Sequence, residues 1–381
     1  MFGFRMPTRV LIEPGSIHRL PEALRTFQFH RPLLVVDQGV LATPWAETVQ
    51  GILSESGLDP VIFDEVEVNP RTTTVEKAAA MIRDEGADGV LALGGGSVLD
   101  AGKAAAMMAT NDGVTEHYEG RDRYPNAPLP FVAVPTTCGT GSEVTWVSVL
   151  TLDSTRVKIS VKGESMFPNQ ALVDANLIKT LPSHMVASTG LDALTHALEA
   201  TTGGLANTIS NALAEKSIAL LLRFLKRAVE DVEGDTQARE AVMRASTLAG
   251  LAFGNADVAG VHCLSESLGG MHDVPHGACN AIILTPMMRY HGESVQARLA
   301  ALELLAPQGL REAPEAERAE SFLARIETLV RDVEIPAFSS FNVPRESYEE
   351  VARNAVQNGS NGSNPQPMAQ ADYLKILESL A

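Results

Sequence analysis

The 381-residue chain has only three cysteines, Cys138, Cys263 and Cys279, and no two of them are spaced CxxC. An odd, scattered set excludes a disulfide framework and a cysteine zinc site, and it suits a reducing cytoplasm. Aromatic residues make up 5% of the chain, so the core must be built mainly from Ala, Leu, Val and Ile. The net charge is −17 and no Lys/Arg cluster is present. A nucleic-acid binder needs a basic face, so nucleic acid is excluded as a partner, and an anionic membrane is disfavoured. No apolar run approaches a membrane span; AIILTPMM, residues 281–288, is far too short. The opening MFGFRMPTRVLIEPG lacks the apolar core of a signal peptide. HExxH is missing, so a zincin protease is not supported.

What is present falls into two rhythms. In the first half, short β-branched runs alternate with helical stretches. TRVLIEPG precedes SIHRLPEALRTF, RPLLVVDQG precedes AETVQGILSESG, and GVLALGGG precedes SVLDAGKAAAMMAT. Continuously apolar strands alternating with helices predict a parallel sheet covered on both faces. VTWVSVLTLDSTRVKISVKG reads as a hairpin, and ALVDANLIKTLP as a short extended segment and linker. Beyond about Pro182 the strand signal stops, and helical spacing of apolar residues takes over. NGSNGSNPQP, residues 358–367, is the one low-complexity stretch. The chain therefore divides into an α/β domain, residues 1–181, and an all-α domain, residues 182–381.

Two turns in the α/β half suit a nucleotide. Gly94-Gly95-Gly96-Ser97 ends an apolar strand and opens a helix, where free N–H groups attract phosphate. Pro135 to Glu143, PTTCGTGSE, is a second turn rich in hydroxyls and glycine after a strand. Asp37 ends the strand LLVVD; there a carboxylate can bind a ribose and repel a 2′-phosphate, favouring NAD over NADP. Its alternative reading is a residue that simply starts a loop. The order is unusual, because the acid precedes the glycine loop.

The helical half holds a second pattern. Asp192 and His196 stand i, i+4 in GLDALTHALEA; His262 and Glu266 do so in GVHCLSESLGGMHDVPHG, and His276 follows Pro275. Residues four apart share a helix face. A lone histidine is more often a hydrogen-bonded core or surface residue than a ligand. Grouped among small apolar neighbours, however, these groups need buried partners, and a shared divalent cation such as Fe²⁺ or Zn²⁺ is one.

GGGSVLDAGK, VPTTCGTGSEVT, GLDALTHALEA and GVHCLSESLGGMHDVPHG, in this order and spacing, resemble the iron-containing (group III) alcohol dehydrogenase family over essentially the whole chain. The resemblance implies an α/β N-terminal dinucleotide-binding domain plus an all-α C-terminal domain, the dehydroquinate synthase-like fold, with the active site in the cleft between them. It implies Asp192, His196, His262 and His276 as ligands of Fe²⁺ or Zn²⁺. It places Gly94, Gly95, Gly96 and Ser97 at the pyrophosphate and counts Asp100 among the cofactor-binding residues. It puts Thr136, Thr137, Thr140, Thr145 and Lys158 along the cofactor, and Asn69 and Asp37 at its adenosine half. The implied reaction is reversible hydride transfer between a small alcohol or aldehyde and NAD(H), by a cytoplasmic homodimer or larger homo-oligomer. A polyol (glycerol-type) dehydrogenase, a maleylacetate-reductase-like enzyme and an NAD-using lyase or synthase are the alternatives. One position departs from the family. A second histidine usually follows the ligand by one turn, and here Glu266 stands in its place, with Ser267 for the usual proline. A role in substrate or proton handling is expected of Glu266, which with His276 completes the catalytic set. His272 falls outside it as a pocket or loop residue.

Overall fold

The computed structural model describes residues 3–380, which form two compact units. One comprises residues 6–137 and 141–181. The other gathers the segment ending at Arg5, the short stretch Cys138–Thr140, and the chain from Pro182 onward.

The first unit is built on a six-stranded, all-parallel sheet. Its strands are β1 (Arg9–Ile12), β2 (Pro32–Val35), β3 (Val61–Phe63), β4 (Gly89–Gly94), β6 (Phe131–Pro135) and β9 (Gln170–Val173). They lie in the order β1-β9-β6-β4-β2-β3. The inner strands β2, β4 and β6 are buried at every residue, which is why they read as unbroken apolar runs. Alternate residues feed two cores. Leu33, Val35, Val90 and Ala92 pack with helices α4 (Thr72–Glu85) and α5 (Gly96–Met108). Leu34, Val36, Leu91 and Leu93 pack with α1 (Leu20–Thr26) and α3 (Pro44–Glu55). Between them, α2 is a single turn, Gln38–Leu41.

The segment read as a short extended stretch and linker begins in a strand. β9 pairs with β1 on one side and β6 on the other, and Ala171, Leu172 and Val173 are buried. A four-residue strand is too short to show a period, so only pairing on both sides reveals it. The expected hairpin forms from β7 (Val147–Thr151) and β8 (Lys158–Lys162), in register Thr151↔Lys158 to Val147↔Lys162. It stands apart from the main sheet, in a small sheet completed by the two-residue strand β5 (Gly120–Arg121).

The second unit is helical: α6 (Ser183–Thr202), α7 (Thr208–Glu230), α8 (Thr236–Phe253), α9 (Gly260–His272), α10 (His276–His291), α11 (Glu293–Glu303), α12 (Glu315–Asp332), α13 (Tyr348–Gln357) and α14 (Gln370–Leu380). Helix α6 is buried on all sides from Gly190 to Thr202, as a central helix must be. Small residues allow this. A Cβ on Gly190 would sit 2.3 Å from Leu225 Cδ1 of α7, and one on Gly277 of α10 would sit 2.3 Å from the Ser188 carbonyl oxygen.

Candidate metal centre and dinucleotide loop

Within the helical unit, three helices converge on one carboxylate. Asp192 and His196 share a face of α6, His262 comes from the first turn of α9, and His276 is the first residue of α10. Asp192 Oδ1 lies 3.6 Å from His276 Nε2 and 3.8 Å from His262 Nε2, and Oδ2 lies 3.8 Å from His196 Nδ1. Asp192, His196 and His262 are buried and could hold a metal ion, while the His276 side chain is 27% exposed. Gly277 lets the start of α10 press against α6, which brings His276 within reach of Asp192.

The donor set passes a chemical test for a cation. Among the described residues His196 Nδ1 is buried without a hydrogen-bond partner, directly beside the carboxylate. Burial holds the His196 imidazole down at about 4, so at neutral pH it is an uncharged donor of a lone pair. Burial also opposes the charge on Asp192, yet the surrounding imidazoles and the Asn280 amide more than offset it and hold its pKa below the usual value. A buried anion grouped with imidazoles and with no thiolate is a first-row divalent site in composition.

Two residues missed by the sequence reading complete it. Glu199, fully buried on α6, accepts from the Val261 N–H at 2.7 Å and meets His262 Nδ1 at 2.5 Å. Burial disfavours a charged His262, but this carboxylate outweighs burial and raises the imidazole's pKa. A carboxylate on the far ring nitrogen is the usual device for orienting a ligand histidine. Its signal was available, since Asp192, His196 and Glu199 follow the i, i+4, i+7 spacing of one helix face. Asn280, also fully buried, directs Nδ2 to Asp192 Oδ1 at 2.7 Å and to His262 and His276 Nε2 at 3.2 Å each. Asparagine four residues past a histidine carries no comparable signal.

The Phe253 ring, at the end of α8, stacks on His196 with centroids 4.2 Å apart, and His196 stacks on His262 at 4.4 Å. His272 ends α9 outside this group. The cysteines are free and buried, and burial pushes the Cys138 thiol up to about 11. They act as apolar filler.

In the α/β unit, Gly95 is the extended N-cap of α5, and its cap position carries no side-chain hydrogen bond. Gly95, Gly96 and Ser97 are partly exposed, so the first-turn N–H groups are open to an anion. Gly94 is sterically required, since an added Cβ would meet Val98 Cβ at 2.5 Å, and one on Gly95 would crowd Thr137 Cγ2 at 3.0 Å. Buried Thr136 donates its N–H to the Gly94 carbonyl at 3.0 Å.

Asp37 follows β2, and strands β2 and β4 are neighbours from which the chain departs in opposite directions along the sheet. Asp37 and the glycine loop thus flank a topological switch point, where open α/β sheets bind ligands. The inverted sequence order of acid and glycine loop follows from this topology. Asp37 also caps α2, accepting from the Val40 N–H at 2.7 Å.

Asp100 is engaged internally. It accepts from Ser142 Oγ at 2.6 Å and the Val149 N–H at 2.9 Å, and pairs with Lys103 Nζ at 3.2 Å. Lys103 is fully buried and also reaches the Ser142 carbonyl at 3.2 Å and Thr145 Oγ1 at 3.4 Å. Asp100 and Lys103 therefore fix the backbone around Thr145. Lys158 opens β8, Asn69 takes a left-handed φ of 57° ahead of Pro70, and Thr140 belongs to the helical unit.

Residues 7–175 match the family model for iron-containing alcohol dehydrogenase, and residues 186–381 match that for the C-terminal part of the Fe-containing alcohol dehydrogenase family. The chain belongs to the iron-containing alcohol dehydrogenase family. It is 35% identical to the 1,3-propanediol dehydrogenase of Klebsiella pneumoniae, over 99% of this chain and 98% of that protein. It is 30% identical to the NAD-dependent methanol dehydrogenase of Bacillus methanolicus, over the full length of both. A crystal structure of 1,3-propanediol oxidoreductase superposes with a TM-score of 0.97 at 34% identity, covering 100% of each chain. NAD-linked alcohol and aldehyde oxidoreduction is the chemistry of this iron-containing alcohol dehydrogenase. Among the described residues no helix is long and apolar enough to cross a membrane.

Proposed function

We propose that the chain oxidises a small primary alcohol, or reduces the matching aldehyde, with Asp192, His196, His262 and His276 holding Fe²⁺. The observation that carries this reading is the convergence of one buried carboxylate and three imidazoles, with an unpartnered His196 Nδ1 beside the carboxylate. When bound, the ion supplies Lewis acidity toward the alcohol oxygen, and a nicotinamide supplies the hydride acceptor. The chain's own residues set the geometry. Glu199 fixes the His262 ring with Nε2 facing Asp192. Phe253 covers His196 and keeps water from that face. His276, the exposed member, marks the side from which substrate arrives.

Gly94 to Ser97 cradle the pyrophosphate, and Asp37 takes the adenosine ribose, favouring NAD over NADP. Thr136, Thr137, Thr140, Thr145, Lys158 and Asn69 complete the cofactor's surroundings, while Asp100 acts through the loop it braces. Three buried thiols suit a reducing cytoplasm, and a homo-oligomer is the expected assembly, readable by sedimentation. The test of function is NADH formation at 340 nm across an alcohol panel, with metal content measured on the same samples. His276→Ala should lower bound metal and turnover together; full turnover in a metal-replete variant would remove His276 from the ligand set.

A further inference from the structure

We propose that Glu266 recognises a hydrogen-bond donor, a second hydroxyl or an ammonium, at the far end of the substrate alcohol. This assignment rests on the alcohol dehydrogenase reading and names its substrate class.

Glu266 lies one turn beyond His262 on the same face of α9 and is half-buried. Its carboxylate accepts from Asn358 Nδ2 at 2.6 Å. The Asn358 amide cannot turn freely, because its Oδ1 accepts from the Ser360 N–H at 2.9 Å. Ser360 in turn donates to Asp257 at 2.9 Å. The carboxylate is thus held from one side by a fixed amide. Among the described residues its other oxygen has no hydrogen bond, and no Lys, Arg or His pairs with it.

Charge strengthens the point. Asp192 and Glu199 contact the proposed ligands and Glu266 acts electrostatically on His262, and among the described residues no Lys or Arg forms an ion pair with any of the three. A divalent ion balances two of the three negative charges and leaves one. A half-buried carboxylate without a countercharge favours a ligand that brings a donor, most strongly a charged one.

A chain-length-matched series tests this in the metal-loaded enzyme with NAD at pH 8: 1-propanol, 1,3-propanediol and 3-amino-1-propanol. The wild type should prefer both donor-bearing alcohols by about tenfold or more in kcat/KM. Glu266→Gln keeps the Asn358 contact and removes the charge. It should cut the preference for the amino alcohol about tenfold, mainly through KM, and that for the diol by less, because an amide oxygen still accepts. Asn358→Ala frees the carboxylate and should weaken both preferences. Titration calorimetry of n-propylammonium into the NADH-bound enzyme gives a readout without turnover, with Kd rising about tenfold in Glu266→Gln. Unchanged preference ratios together with an unchanged Kd would overturn the role of Glu266. A wild type that oxidises no alcohol but shows the Kd difference would instead overturn the functional reading and leave this assignment standing.

Discussion

At the residue scale, the proposed metal centre depends on groups outside the proposed ligand set. Glu199 is the clearest. Its two oxygens bind the Val261 N–H and His262 Nδ1, so one side chain sets both the start of α9 and the direction of its ligand ring. Glu199→Gln should keep the packing but weaken the hold on His262, lowering metal affinity about 10- to 100-fold. Competition with a chelator measures this, and affinity equal to wild type would show the ring to be held by other means. Phe253 acts by contact alone, and Phe253→Ala should open the His196 face and lower turnover more than it lowers metal content.

At the element scale, close approach of helices is the controlling feature. Gly277→Ala would push a methyl against the Ser188 carbonyl. It should cost about 1–3 kcal/mol by thermal or chemical unfolding and loosen His276 at the same time. The stretch that reads as low complexity, NGSNGSNPQP, is a brace. Ser360, Ser363 and Asn364 are buried. Asn364 Oδ1 caps the Gly260 N–H of α9 at 2.9 Å, and its Nδ2 reaches Tyr373 at 3.1 Å. Ser360 and Ser363 hold Asp257 at 2.9 and 2.7 Å. Asn364→Ala leaves the buried Gly260 N–H unmet and should destabilise the protein by about 1–3 kcal/mol, again read from the unfolding midpoint. Composition reads as a low-complexity loop; only the burial of Ser360, Ser363 and Asn364 shows a brace.

At the scale of the whole molecule, stability should fall on mild acidification. Burial holds the His291 imidazole down at about 4, whereas an unfolded histidine titrates near 6.5. The native state therefore binds fewer protons than the unfolded state between these values. The stabilisation is complete above about pH 6.5 and is lost as pH falls toward 4, amounting to roughly 2 kcal/mol at pH 5. Urea unfolding at pH 7.5 and pH 5 should show this loss, and His291→Gln should reduce it; an identical loss in the variant would remove His291 as the cause.

The division of labour between sequence and tertiary structure follows the range of each signal. The parallel sheet, the helical second half, the glycine loop and the i, i+4 spacings of Asp192/His196 and His262/Glu266 were all legible, because each is a local period or a local turn. Strand β9 was legible only as a short extended segment, since four residues carry no period and its place in the sheet comes from β1 and β6. Asn280 was not legible, because its contacts with Asp192 and His262 cross from α10 to α6 and α9. The role of Glu266 divides in the same way. Sequence alone marked it as the departure from a family pattern, while its partner Asn358 lies 92 positions away. Residue type and short spacing fix which chemistry is available. Chain reversal and helix packing fix which groups meet, because contacts distant in sequence leave no periodic trace.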